Sequence, residues 1–242
     1  MRHSAKSRNV ASIDPLNARV PTGVKGLDEL IEGGLPRGSM IILAGSPGSG
    51  KTITSAQFLY HGATECGEKG IYVSFSERKE VFAMNMKRFG LDFAKLEQEG
   101  VFKFLDFATT KEAGISLTLN EILRESLHIG IKRLVVDSFS AMASVFEKKI
   151  DARIVLHAFE KLMRQADCTT LLLIEVPTGN SNLGLGFEEF VADGLILFET
   201  IEDEVGIRKR AIIRKMRGTN HNNNYSNIVI SDEGVSLAAY IT

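Results

Sequence analysis

The chain has 242 residues, of which 44% are hydrophobic and 24% charged, with a formal net charge of −1. That length suits one large α/β domain or two small ones, and the near-neutral balance excludes a global attraction to nucleic acid or anionic membrane. No apolar run approaches the length of a membrane span and the N-terminus lacks the apolar core of a signal peptide; with only Cys66 and Cys168, far apart and in no metal-ligand spacing, the expectation is a cytoplasmic protein with free, buried thiols.

Residues 1–19 are polar and irregular, with Arg2, Lys6, Arg8 and Arg19 against the single acid Asp14. They are expected to form a flexible tail ahead of one domain over 20–242, within which there is no repeat and no linker. Met40–Ala44 is a short apolar run, as a buried parallel strand requires. Ile53–Tyr60 follows as the opening turns of a helix. Further strands are predicted at 71–75 after the turn 67–70, at 102–107, at 134–136, at 170–174 and at 195–198. Between them, Leu119, Ile122, Leu123 and Leu127 mark one helix. Ile154, Val155, Ala158, Phe159, Leu162, Met163 and Ala166 mark the apolar face of another, with Asp151 near its start. Beyond residue 200 the style changes to short strands near 208–215, 226–230 and 235–239, separated by Asn/Gly-rich turns. The fold class expected is therefore α/β, with a mostly parallel central sheet flanked by helices and antiparallel hairpins added at one edge.

Gly45-Ser46-Pro47-Gly48-Ser49-Gly50-Lys51-Thr52 fits G-x-x-x-x-G-K-[ST], the phosphate-binding loop. The pattern should arise by chance in roughly one chain of this length in a hundred, and a strand before it and a helix after it lower that further. Glycines let successive N–H groups converge on phosphate oxygens, and the helix N-terminus behind them adds partial positive charge. Ser46, Pro47, Gly48, Ser49, Gly50, Lys51, Thr52 and Ile53 are thus the expected cradle for a triphosphate. Lys51 supplies a full charge, and Thr52 offers its hydroxyl to Mg2+.

Hydrolysis also requires a magnesium anchor and a group that activates water. Asp137 ends the run Leu134-Val135-Val136, at the carboxyl end of a strand where ligands bind in open α/β sheets. It is the expected magnesium partner of Thr52, or else an N-cap for the next helix. Glu77, just past the second strand, is the candidate general base, or else a solvated loop acid. The cations Arg208, Lys209, Arg210, Arg214, Lys215 and Arg217 invite a nucleic-acid reading. No aromatic residue is interleaved among them, however, and strand alternation is expected to put Arg208, Arg210 and Arg214 on different faces.

Taken in order, several stretches resemble the KaiC branch of the RecA-like ATPases. They are Pro21–Leu30, Gly33–Gly38, the phosphate loop, Tyr72–Phe75, Asp137-Ser138, Phe187–Asp193 and Lys215–His221. The resemblance spans about residues 20–240 and corresponds to one KaiC-type domain. It implies a RecA-type fold and a homo-oligomeric ring, usually a hexamer, with ATP and Mg2+ at each subunit interface. One subunit would supply the phosphate loop. The next would reach the nucleotide with Lys215, Met216, Arg217, Thr219 and His221, and Ser231 and Asp232 would lie near the base or ribose. Cations delivered in trans would stabilise charge on the transferring phosphoryl group, which makes Arg217, with Lys51 and Glu77, the catalytic set. The family often carries two glutamates after the second strand where this chain has Ser76-Glu77, so slow hydrolysis and a regulatory role are expected. The loop Thr178–Gly186 sits where recombinases contact DNA but carries no Lys or Arg. A DNA-binding repair ATPase and an autokinase are the alternatives.

Overall fold

The computed structural model describes residues 18–108, 115–143, 146, 148–177, 186–203 and 206–240. Six strands run parallel: β3 (Met40–Gly45), β4 (Gly70–Ser74), β5 (Phe102–Asp106), β6 (Arg133–Asp137), β7 (Thr169–Glu175) and β8 (Gly194–Asp203). Three more, β9 (Gly206–Met216), β10 (Ser226–Ser231) and β11 (Gly234–Ala239), extend one edge antiparallel, giving the order β11-β10-β9-β8-β3-β7-β6-β4-β5. A separate ribbon pairs β1 (Arg19–Val20) with β2 (Leu35–Pro36), and a single 3-10 turn spans Asp28–Ile31.

Strand β3 lies between β7 and β8, and all six of its residues are buried. A strand covered on both faces must be apolar throughout, which is why Met40-Ile-Ile-Leu-Ala-Gly45 shows no alternation. Its residues feed two cores in turn. Ile41 and Leu43 pack with Phe58 and Leu59 of α1 (Lys51–Glu65), Phe82 and Met86 of α2 (Lys79–Lys87), and Phe93 and Leu96 of α3 (Phe93–Gln98). Met40, Ile42 and Ala44 pack with Ile122 of α4 (Ile115–Ile129), Phe139 and Met142 of α5 (Phe139–Ala143), and Leu156, Phe159 and Met163 of α6 (Lys149–Gln165). A short α7 (Glu188–Val191) completes that side through Val191.

Several sequence expectations are corrected. In α6 the buried stripe is Ala152, Leu156, Phe159 and Met163, while Ile154 and Leu162 are exposed. The helix turns about 100° per residue, and the face chosen by the sheet is rotated from the one that the densest apolar spacing suggests. Leu127 of α4 is likewise exposed. Cys168 is buried but Cys66 is exposed. Residues 1–17 of the expected tail lie outside the described residues, as do 178–185 of the charge-poor loop. Arg19 does not behave as tail, because its guanidinium bonds to Thr219 Oγ1, the Gly218 carbonyl and Glu32. Arg210 and Arg214 do not diverge: both reach the Glu199 carboxylate, at 2.7 and 3.7 Å. Positions 208, 210 and 214 are an even number of residues apart, so the two-residue period of a strand itself puts them on one face, and the expectation that they diverge miscounts that period.

Candidate nucleotide site

The turn after β3 leaves the carboxyl edge of the sheet between β7 and β8, and α1 begins at Lys51 directly behind it. Glycine is required at its two ends. A Cβ on Gly45 would run into the Phe198 carbonyl of β8. Gly50 has φ of 104°, and a Cβ there would lie 3.2 Å from Val235 and 3.3 Å from Ile230. Those two residues belong to the β10–β11 hairpin, which therefore sits on the start of α1. Gln57 of α1 fastens it, accepting from the Val235 N–H and donating to the Val235 carbonyl. Ser231 and Asp232 lie at the exposed turn of this hairpin.

The Lys51 ammonium is buried and donates to the carbonyls of Gly45 and Ser46 at 2.7 and 2.9 Å. Burial lowers its pKa, and the charges of Asp137 and Glu175 oppose that shift. Ser46 shares a hydrogen bond with Thr200, whereas the buried Ser49 hydroxyl has no partner. Pro47 and Gly48 form the exposed tip, and Thr52 and Ile53 are half-buried in the first turn of α1.

Asp137 ends β6, and its Oδ2 accepts from the Thr52 hydroxyl at 3.1 Å and from the Tyr72 hydroxyl at 2.6 Å. Tyr72 projects from β4, fully buried, and its pKa is pushed well above the ordinary phenol range by burial and then by the Asp137 charge. Glu77 follows β4. Its N–H donates to Ser74 Oγ, and its carboxylate accepts from Asn85 of α2 at 2.9 Å. Burial raises the Glu77 pKa, Asn85 opposes that, and Asp137 adds to it. Ser76 is exposed.

Among the described residues, no three His, Cys, Asp or Glu side chains gather as a metal site. Thr52 and Asp137 offer two oxygens, which suits Mg2+ carried in with phosphates, since that ion completes its shell with phosphate and water oxygens. The unpartnered Ser49 hydroxyl and a lysine resting on the loop's own carbonyls also fit an anion-binding cradle.

Lys215, Met216 and Arg217 lie elsewhere. Met216 pairs with Gly194, which pairs with Ile41, so the end of β9 lies level with the start of β3. Gly45 is four residues further along, about 13 Å at the usual rise per residue. The Lys215 ammonium donates to the carbonyls of Glu189 and Ala192. Arg217 donates to the Phe190 carbonyl and faces Asp193 at 3.6 Å. Thr219 accepts from Arg19, and His221 lies on the rim of a groove formed with Glu29, Leu30 and Asn222–Asn224.

A family model for the KaiC ATPase matches residues 20–240. The chain belongs to the KaiC ATPase family. A UPF0273 protein of Pyrococcus furiosus is 33% identical over 232 residues, covering 90% of this chain and 92% of that protein. One from Thermotoga maritima is 31% identical over 233 residues, covering 90% and 95%. The crystal structure of a KaiC-like protein from the hyperthermophilic archaeon Pyrococcus horikoshii is 37% identical, with a TM-score of 0.82 over 91% of this chain and 98% of that one. These relatives have nearly the length of this chain, so the match is to a single KaiC-type domain with the RecA-like fold. As a KaiC-family ATPase domain it is a nucleotide-binding unit. No helix among the described residues is long and apolar enough to cross a membrane.

Three residues near the site escaped the sequence reading. Glu175 pairs with Gly45 at the end of β7; a carboxylate closing the neighbouring strand is the signal that could have found it. Tyr72 lies in a predicted strand and in a stretch that carries the family resemblance, neither of which gives its hydroxyl a role, although a buried tyrosine hydroxyl needs a partner. Asn85 lies in a helix that the spacing did not reveal.

Proposed function

We propose that the protein binds ATP with Mg2+ in the Gly45–Thr52 loop, hydrolyses it slowly, and acts as a ring whose state follows its nucleotides. What supports this most is the division of residues between the two ends of the sheet. Lys51, Thr52, Asp137 and Glu77 gather at the carboxyl edge, while Lys215 and Arg217 sit at the far edge, too distant to serve their own loop.

Within one site, Lys51 exchanges the Gly45 and Ser46 carbonyls for phosphate oxygens. Thr52 and Asp137 hold Mg2+, which when bound neutralises charge on the phosphates. Glu77 takes the proton from a water whose oxygen bonds to the γ-phosphorus as the bond to the bridging oxygen breaks, leaving ADP and phosphate. Ser231 and Asp232, at the exposed turn of the hairpin that packs on Gly50, would lie near the ribose or base. Arg217 of the adjacent subunit stabilises charge on the transferring group. A single carboxylate at Glu77, with Ser76 turned to solvent, accounts for slow turnover.

The basic strand offers less to nucleic acid than its composition suggests. Arg210 and Arg214 share Glu199, and Arg210 stacks on Tyr225 at 3.7 Å. Steady-state ATPase measured with and without single-stranded DNA tests the reading. DNA-independent turnover is expected, and turnover that appears only with DNA would favour a recombinase. Co-assembling Lys51→Ala with Arg217→Ala should restore activity that neither has alone, because only the mixture contains interfaces with both parts intact. Loss of a trans arginine costs on the order of 10³-fold in favourable systems, so rescue should stand clear of background.

A further inference from the structure

The segment Phe187–Asp193 has no part in the chemistry above, yet both trans cations rest on it. Lys215 takes the Glu189 and Ala192 carbonyls, and Arg217 takes the Phe190 carbonyl. Asp193 closes the segment and binds in three directions. Its Oδ2 accepts from Arg164 at 2.6 Å and from the Met40 N–H at 3.0 Å, and its Oδ1 faces Arg217 at 3.6 Å. Its backbone carbonyl accepts the Arg217 N–H at 2.9 Å.

We infer that Asp193 is the positioning residue that aims Arg217 at the neighbouring subunit's nucleotide, an inference that rests on the ring reading above. The Asp193 side chain is 9% exposed and that of Arg217 is 56% exposed. The carboxylate is thus fixed by a buried bond from the Met40 N–H of β3 and a half-buried pair with Arg164 of α6, while the guanidinium it faces is carried on an exposed side chain. Holding both the backbone and the head group of Arg217 limits the arc over which that arginine can swing. A misplacement of about 1 Å at a reacting centre costs on the order of 10²-fold, so an untethered finger should be nearly as poor as a missing one. The competing role is structural. Asp193 also binds the first amide of β3, the strand that ends in the phosphate loop, and could act on its own subunit's loop.

Co-assembly separates the two. Asp193→Asn should lower turnover by about 10²-fold while leaving ATP affinity unchanged. Mixed with Lys51→Ala it should regain activity, since its own loop is intact and the partner variant supplies a sound arginine. Mixed with Arg217→Ala it should regain none. The opposite pattern, rescue by Arg217→Ala and not by Lys51→Ala, would place the defect in the loop and overturn the inference. The Lys51→Ala with Arg217→Ala pair is the control. Without rescue there, the trans arrangement itself fails and the inference falls with it. Should Asp193→Asn not assemble, Arg164→Gln removes the cation that fixes the carboxylate. It should show the same pattern with a smaller loss, and rescue by Arg217→Ala would again overturn the inference.

Discussion

Tyr72→Phe removes one oxygen from the interior and leaves the rest of the ring in place. The ring packs against Phe82 and Phe104, with centroids at 4.4 and 5.5 Å, and phenylalanine preserves both contacts. What is lost is the 2.6 Å hydrogen bond to Asp137. With its pKa well above the ordinary range, the hydroxyl is a donor at every working pH. Hydrogen bonds to charged groups contribute about 1.5–3 kcal/mol. Asp137 is only partly buried, so water replaces some of the loss and about 1.5 kcal/mol is expected. In a chain of this size that corresponds to a Tm lower by roughly 3–6 °C, measurable by circular dichroism. The functional effect is separate. Asp137 keeps Thr52 as its remaining side-chain partner and is held less firmly, and loss of such outer partners typically weakens metal binding by about 10-fold or more. The Mg2+ concentration for half-maximal ATPase should rise accordingly. An unchanged melt together with an unchanged Mg2+ dependence would refute the reasoning, because it would mean that the bond neither stabilises the fold nor orients the carboxylate.

Lys51→Ala should abolish nucleotide binding, since loop amides alone cannot offset the triphosphate charge; near-normal ATP affinity by fluorescence titration would remove the phosphate-loop assignment. Glu77→Gln should retain ATP binding and lose about 10²-fold or more in turnover. Because burial raises the Glu77 pKa and the base acts unprotonated, wild-type turnover should fall as pH drops through that raised value, and this acid limb should vanish in the variant. Gly50→Ala should destabilise by more than about 1 kcal/mol and weaken ATP binding, as the new Cβ meets Val235 and Ile230 at a left-handed φ; an unaltered melt would contradict this. Burial pushes the Cys168 thiol up to about 12, so iodoacetamide at neutral pH should label Cys66 alone, as read by mass spectrometry.

Strand positions were legible because each parallel strand is an apolar run bounded by turn residues, and the phosphate loop because its spacing is specific. What could not be read depends on lateral neighbours. Nothing local says that β3 lies between β7 and β8, and so nothing local places Glu175 beside Gly45 or Asp193 beside Met40. The short helices α2 and α3 offer too few turns for a period to emerge. Arg133, just outside the strand predicted at 134–136, is fully buried. It bonds to Glu68 and to the carbonyls of Pro21 and Phe58, lying over the Phe58 ring. A buried arginine is tolerated only when its donors are met, and the partners that meet these come from three separate stretches of chain.

The unlike ends of the sheet constrain how copies of this chain can join. In the ring proposed above, a contact from the arginine end of one protomer to the loop end of the next would be heterologous, so two subunits could not saturate each other and every open assembly would keep one unmatched loop and one unmatched arginine. Whether growth stops is decided by the rotation between neighbours, not by the chemistry at either end. A small change in tilt at that contact would convert a closed ring into a spiral, and because Arg217 would reach across the same contact, the shape of the assembly and the rate at each internal site would change together.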